Sequence, residues 1–78
     1  MPQIADLLAL ADEYQRIDPV EDKTLSSRVF ADSKKLTALR SDSDITVGRF
    51  NSAVQWFSDN WPDGAVWPKG IVRPKVAA

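Results

Sequence analysis

The stretch LSSRVFADSKKLTALRSD, residues 25–42, decides the reading of this chain. Leu25 and Val29 stand at i, i+4, so residues 25–30 read as a short helix, with Thr24 as its N-cap. Asp32 or Ser33 can cap a third helix over 33–40, whose inward residues are Leu36 and Leu39. The cluster SDSD, 41–44, reads as capping and turn residues that stop it. Two short helices meeting across a tight turn need apolar residues at both ends to fix their angle. Leu25, Val29, Leu36 and Leu39 supply them.

The flanking sequence extends this to an all-α fold. Upstream, Ile4, Leu7, Leu8, Ala11, Tyr14 and Ile17 recur at steps of three and four, predicting an amphipathic helix over 3–17. Pro2 suits its first turn, Asp6 and Arg16 complement its dipole, and Pro19 ends it. Downstream, Thr46 caps a helix over 47–60 with the stripe Val47, Phe50, Ala53, Val54, Phe57 and Trp61. Pro62 stops it. The expected organisation is a small four-helix helix-turn-helix domain, 1–61, followed by a Pro/Trp-rich extended tail, 62–78. In the region after that helix, WPDG at 61–64 is echoed by WPKG at 67–70. Each reads as a Pro-led turn with a glycine free to take positive φ. Short β pairing of 65–67 with Ile71 and Val72 is a minor alternative.

Composition removes many functions. The 78 residues include no Cys and no His, which excludes disulfides, thiolate or imidazole metal sites and His-based catalysis. The pairs Asp12–Glu13 and Glu21–Asp22 lack the alternating spacing of a calcium loop. The three glycines are scattered, so no phosphate-cradling loop is present. The expectation is a protein that is not an enzyme, with no cofactor and no metal. No basic leader and no apolar run of membrane-spanning length are seen, so a cytoplasmic location is expected.

The net charge of −1 conceals a division along the chain. Residues 1–22 hold six acids against Arg16, net −5, and residues 23–49 hold six bases against three acids, net +3. The outer face of 33–41 carries Ser33, Lys34, Thr37, Ala38 and Ser41, small or cationic groups suited to a major groove.

These residues resemble the helix-turn-helix of the phage-repressor-like DNA-binding family (lambda repressor and Cro type, XRE-like). Leu25 and Ser26 stand at that family's Leu-Ala pair, Ala31 and Asp32 follow the turn, and Leu36 and Leu39 form the apolar pair of the reading helix. The likeness spans about residues 4–61. It implies a sequence-specific transcriptional regulator, bacterial or from a mobile element, that binds double-stranded DNA. By that resemblance Ser33, Lys34, Thr37 and Ala38 would touch bases, and Thr24, Arg28, Lys35, Ser41 and Arg49 the DNA backbone. Two departures stand out. Phe30 occupies the place of the turn glycine, so the turn is expected to be different or shifted. Asp22 lies near a residue that clamps phosphate in the family, where an acid would repel it.

The tail carries a further expectation. It either packs on the domain or exposes Trp56, Trp67, Ile71 and Val72 as a patch for homodimerisation. Packing over 33–40 would block the reading helix. The alternative function is a helical protein-interaction module, an adaptor or anti-activator, that uses the acidic first helix or the Trp/Pro tail.

Overall fold

The computed structural model describes residues 4–41 and 43–75. Pro2, Asp42 and the last tail residues, 76–78, lie outside the described residues. The described residues fold as four α-helices, α1 (Ile4–Ile17), α2 (Asp22–Phe30), α3 (Lys35–Arg40) and α4 (Val47–Asp59). No strand occurs among the described residues, so the 65–67 and 71–72 segments do not pair as strands.

One apolar core joins all four helices. Leu7, Leu10, Ala11 and Tyr14 of α1 meet Leu25 of α2, Leu36 and Leu39 of α3, and Ala53, Val54 and Phe57 of α4. The spacing in α1 and α4 is the i, i+3, i+4 stripe of an amphipathic helix. Leu10, absent from the expected stripe, is fully buried because the packing partners enclose a wider arc of α1. Val47, expected in the stripe of α4, is 57% exposed. It occupies the first turn, which projects past the core.

The helix ends are set partly by local and partly by distant groups. Thr46 is the N-cap of α4, its Oγ1 accepting from the Arg49 N–H at 3.2 Å. Thr24 is not the cap of α2. That helix begins three residues earlier than expected, after Glu21, which makes no side-chain capping bond. α3 begins at Lys35, later than expected, because Asp32 and Ser33 belong to the turn. The Asp32 carboxylate accepts from the Lys34 N–H at 2.9 Å.

The cap of α3 comes from α2. Ser26 is fully buried, and its hydroxyl accepts from the Leu36 N–H at 2.9 Å while donating to the Asp32 carbonyl. Leu36 is the second residue of α3, and its N–H has no intrahelical acceptor. One hydroxyl therefore ties the turn, the start of α3 and the body of α2 together.

The turn solves the problem posed by Phe30. Phe30 is the last residue of α2, and the left-handed conformation falls one residue later, on Ala31, at φ 56°. The Ala31 N–H bonds the Ser27 carbonyl at 3.0 Å, closing the helix end. A bulky side chain thus avoids positive φ, and a small exposed one accepts it.

The two WPxG segments form matching turns. Trp61 Nε1 donates to the Ala65 carbonyl at 3.1 Å, and Trp67 Nε1 donates to the Ile71 carbonyl at 2.7 Å. Gly64 and Gly70 sit at φ 89° and 88°, which side-chain-bearing residues rarely adopt. The two indoles pack edge to face with centroids 5.0 Å apart, and Phe57 meets Trp61 edge to face as well. Further bonds attach this region to α1 and α4. The Val66 N–H donates to Glu13 at 2.7 Å, Gln55 Nε2 to the Lys75 carbonyl at 2.8 Å, and the buried Ser58 hydroxyl to the Pro74 carbonyl.

Candidate nucleic-acid interface

α3 lies with Leu36 and Leu39 in the core and Thr37 exposed on the far side. Its outer face borders an open groove of ≈ 600 Å3 lined by Lys23, Ser33, Lys34, Thr37, Ala38 and Ser41. Ser33, Lys34, Thr37, Ala38 and Ser41 are thus brought together. Among the described residues the lining contains two ammonium groups, three hydroxyls, the methyls of Thr37 and Ala38, and no carboxylate. Lys23 was missed by sequence reasoning. It enters because α2 starts at Asp22, so residue 23 belongs to a helix and faces the same hollow as α3. No local signal in the sequence announces that placement.

The other expected contacts lie elsewhere. Lys35 Nζ donates to the Asp44 carbonyl at 2.7 Å. With Arg49, Lys35 lines a separate hollow that includes Asp44, Ile45 and Thr46. Arg49 also reaches the Phe30 carbonyl at 3.5 Å, across the α2 end. Arg28 donates to the Tyr14 hydroxyl at 3.3 Å and pairs with Asp18 at 3.6 Å, so it faces α1. Thr24 is exposed in the first turn of α2 but does not line the groove.

The acidic α1 bears on this face through one side chain. Arg40, the last residue of α3, donates to Asp22 through Nε at 2.9 Å and to Asp12 through an Nη at 2.9 Å. The same Nη reaches Gln15 Oε1 at 3.2 Å. Gln15 in turn donates to Asp22 at 2.8 Å. The Gln15 bond, reinforced by Arg40, holds the Asp22 carboxyl below its ordinary range despite partial burial. Burial opposes the charge on Arg40, but its bonds to Asp12 and Asp22 outweigh that and raise its pKa. Asp22, expected to repel phosphate, is therefore paired.

The 61–75 segment bonds to Glu13, Gln55 and Ser58, on the α1 and α4 side of the molecule. None of its residues lines the α3 groove. The expected patch divides. Trp56 is half-buried against Tyr14 and Phe57, and Trp67 is half-buried between Trp61 and the Arg73 guanidinium, 5.3 Å from its ring. Ile71 and Val72 border a different groove, of ≈ 370 Å3, with Phe50, Val54 and Pro74. Val72 is 87% exposed.

Among the described residues, no group of three or more acidic side chains is placed to hold a metal ion. No described helix is long and apolar enough to cross a membrane. Comparison with protein-family models, curated proteins and solved structures gives no match for this chain.

Proposed function

We propose that the chain is a helix-turn-helix transcriptional regulator whose α3 enters the major groove of double-stranded DNA. The observation that carries this reading is the groove beside α3, which among the described residues is lined by two lysines, three hydroxyls and two methyls and by no acid. A six-residue helix with a small-residue outer face can enter a groove about 12 Å wide. Lys34 would donate to guanine acceptors, Thr37 and Ala38 would approach bases or thymine methyls, and Lys23 and Ser41 would contact phosphates. Lys35 and Arg49, beside the start of α4, would contact phosphate on the flanking strand. Their hollow is separate from the groove, so they supply affinity without base selection.

An electrophoretic shift with a fragment library at two salt concentrations tests the reading. Retardation should weaken steeply with salt, with Lys34→Ala losing preference among fragments and Lys23→Ala losing affinity evenly. No retardation of any fragment at micromolar protein and low salt would overturn it.

A second reading has one observation in its favour. The exposed Val72, in a groove lined by Phe50, Val54 and Ile71 with Asp6, Asn51 and Gln55, suits a protein contact, either a second copy or a different chain. Binding that persists after nuclease treatment and is lost in Val72→Asp would favour an adaptor.

A further inference from the structure

Arg40, the cation that ends α3, does not line its groove. Residues 1–22 carry net −5, and Asp12 and Asp22 are the acids that α1 and α2 turn toward α3. Asp12 is 64% exposed at its side chain, so its charge reaches solvent unless a cation meets it. Arg40 meets both acids at 2.9 Å, from the end of the helix whose outer residues line the groove. Its guanidinium is turned toward α1 and α2, while Lys34, Thr37 and Ser41 face the groove.

We infer that Arg40 is a masking residue: from the end of α3 its single positive charge offsets one of the two negative charges of Asp12 and Asp22. This rests on the reading of that face as a polyanion surface. The physical reason is additive. Two uncovered carboxylates on the helices packed against α3 would subtract from the attraction that the two ammonium groups of the groove have for phosphate. A planar guanidinium can serve both acids at once, which a lysine ammonium does less well. Arg40 therefore contributes to affinity without touching DNA, and its role is defined by the acids it covers.

That definition separates masking from contact. Arg40→Gln uncovers both acids and should weaken low-salt duplex binding roughly three- to tenfold, with a smaller loss at high salt. Adding Asp12→Asn and Asp22→Asn to Arg40→Gln removes what the arginine covered. Affinity should then return at least to that of the native chain, because Arg40 with its two acids leaves one negative charge and the triple variant leaves none. A control with the same net charge, Arg40→Gln with Asp6→Asn and Asp63→Asn, should stay weak, because those acids lie away from the groove. Failure of the Asp12/Asp22 combination to recover affinity would mean that Arg40 contacts the duplex or acts only as a brace, and would overturn masking.

A readout without DNA keeps the two proposals apart. Nuclear relaxation of Thr37 and Ser41 by a carboxylate-bearing nitroxide, compared with an ammonium-bearing one, reports the local potential. The anionic probe should be favoured in the native chain, disfavoured in Arg40→Gln, and favoured again in the triple variant. An unchanged ratio in Arg40→Gln would overturn masking even if DNA binds. A changed and recovered ratio with no DNA retardation would support masking and reject the regulator reading alone.

Discussion

Replacing Ser26 by alanine removes one oxygen and leaves the volume of the site nearly unchanged, so its effect isolates hydrogen bonding. The hydroxyl is fully buried, accepts from the Leu36 N–H at 2.9 Å and donates to the Asp32 carbonyl. Asp32 is exposed, so its carbonyl can turn to water. Leu36 is buried, and its N–H would be left without an acceptor. An unsatisfied buried donor costs about 1–3 kcal/mol, and loss of a helix cap about 1 kcal/mol; these describe the same bond and are not summed. A net loss of about 2 kcal/mol follows, against a total stability of roughly 4–12 kcal/mol for a chain of this length. At about 4–8 °C per kcal/mol, Tm should fall by roughly 8–16 °C. Urea unfolding followed by tryptophan fluorescence gives the free energy directly. Ser27→Ala, on the exposed side of the same helix, is the control. A loss below about 0.5 kcal/mol in Ser26→Ala, or one equal to the control, would refute the capping argument.

Three more outcomes are expected. Ala31→Gly should stabilise the chain by about 0.5–1 kcal/mol, because relief of positive φ at Ala31 exceeds the added freedom of the unfolded chain; a lowered Tm would contradict this. Phe57→Ala should cost about 3–5 kcal/mol, read as a lowered urea midpoint, since Phe57 is buried and meets Tyr14, Trp56 and Trp61 edge to face; a loss below about 1 kcal/mol would contradict this. The Glu13 carboxyl, bonded first by Arg16 and then by the Val66 N–H, should titrate at about 2 in place of 4.5. Because its folded pKa is depressed, its contribution is complete above 4.5 and fades as pH falls toward 2. Carboxyl carbon NMR would show this, and a midpoint near the ordinary value would contradict it.

The legible parts of the fold were those written in local pattern. The apolar stripes of α1 and α4, the Thr46 cap and the two positive-φ glycines could be read from neighbouring residues alone. The pair Leu36 and Leu39 followed from spacing, and both are buried. What escaped reading depends on distant partners. Asp22 opens α2 while bound by Gln15 and Arg40, seven and eighteen residues away, so no local rule selects it over Thr24. The start of α3 is set by Ser26, ten residues before the Leu36 N–H that donates to it. The candidate site divides in the same way. Ser33, Lys34, Thr37, Ala38 and Ser41 share one helix face and its approach, and a helical spacing groups them. Lys23 joins them, and Arg28 and Arg40 turn from them, through packing of one helix on another.

The central claim, that the α3 groove receives duplex DNA, is tested most directly by titrating isotope-labelled protein with a duplex and following backbone amide shifts at two salt concentrations. The account predicts shifts concentrated at Lys23, Ser33, Lys34, Thr37, Ala38 and Ser41, weakened by salt, with Val54, Ile71 and Val72 unmoved. Shifts centred on Val54, Ile71 and Val72, or none at low salt, would contradict it.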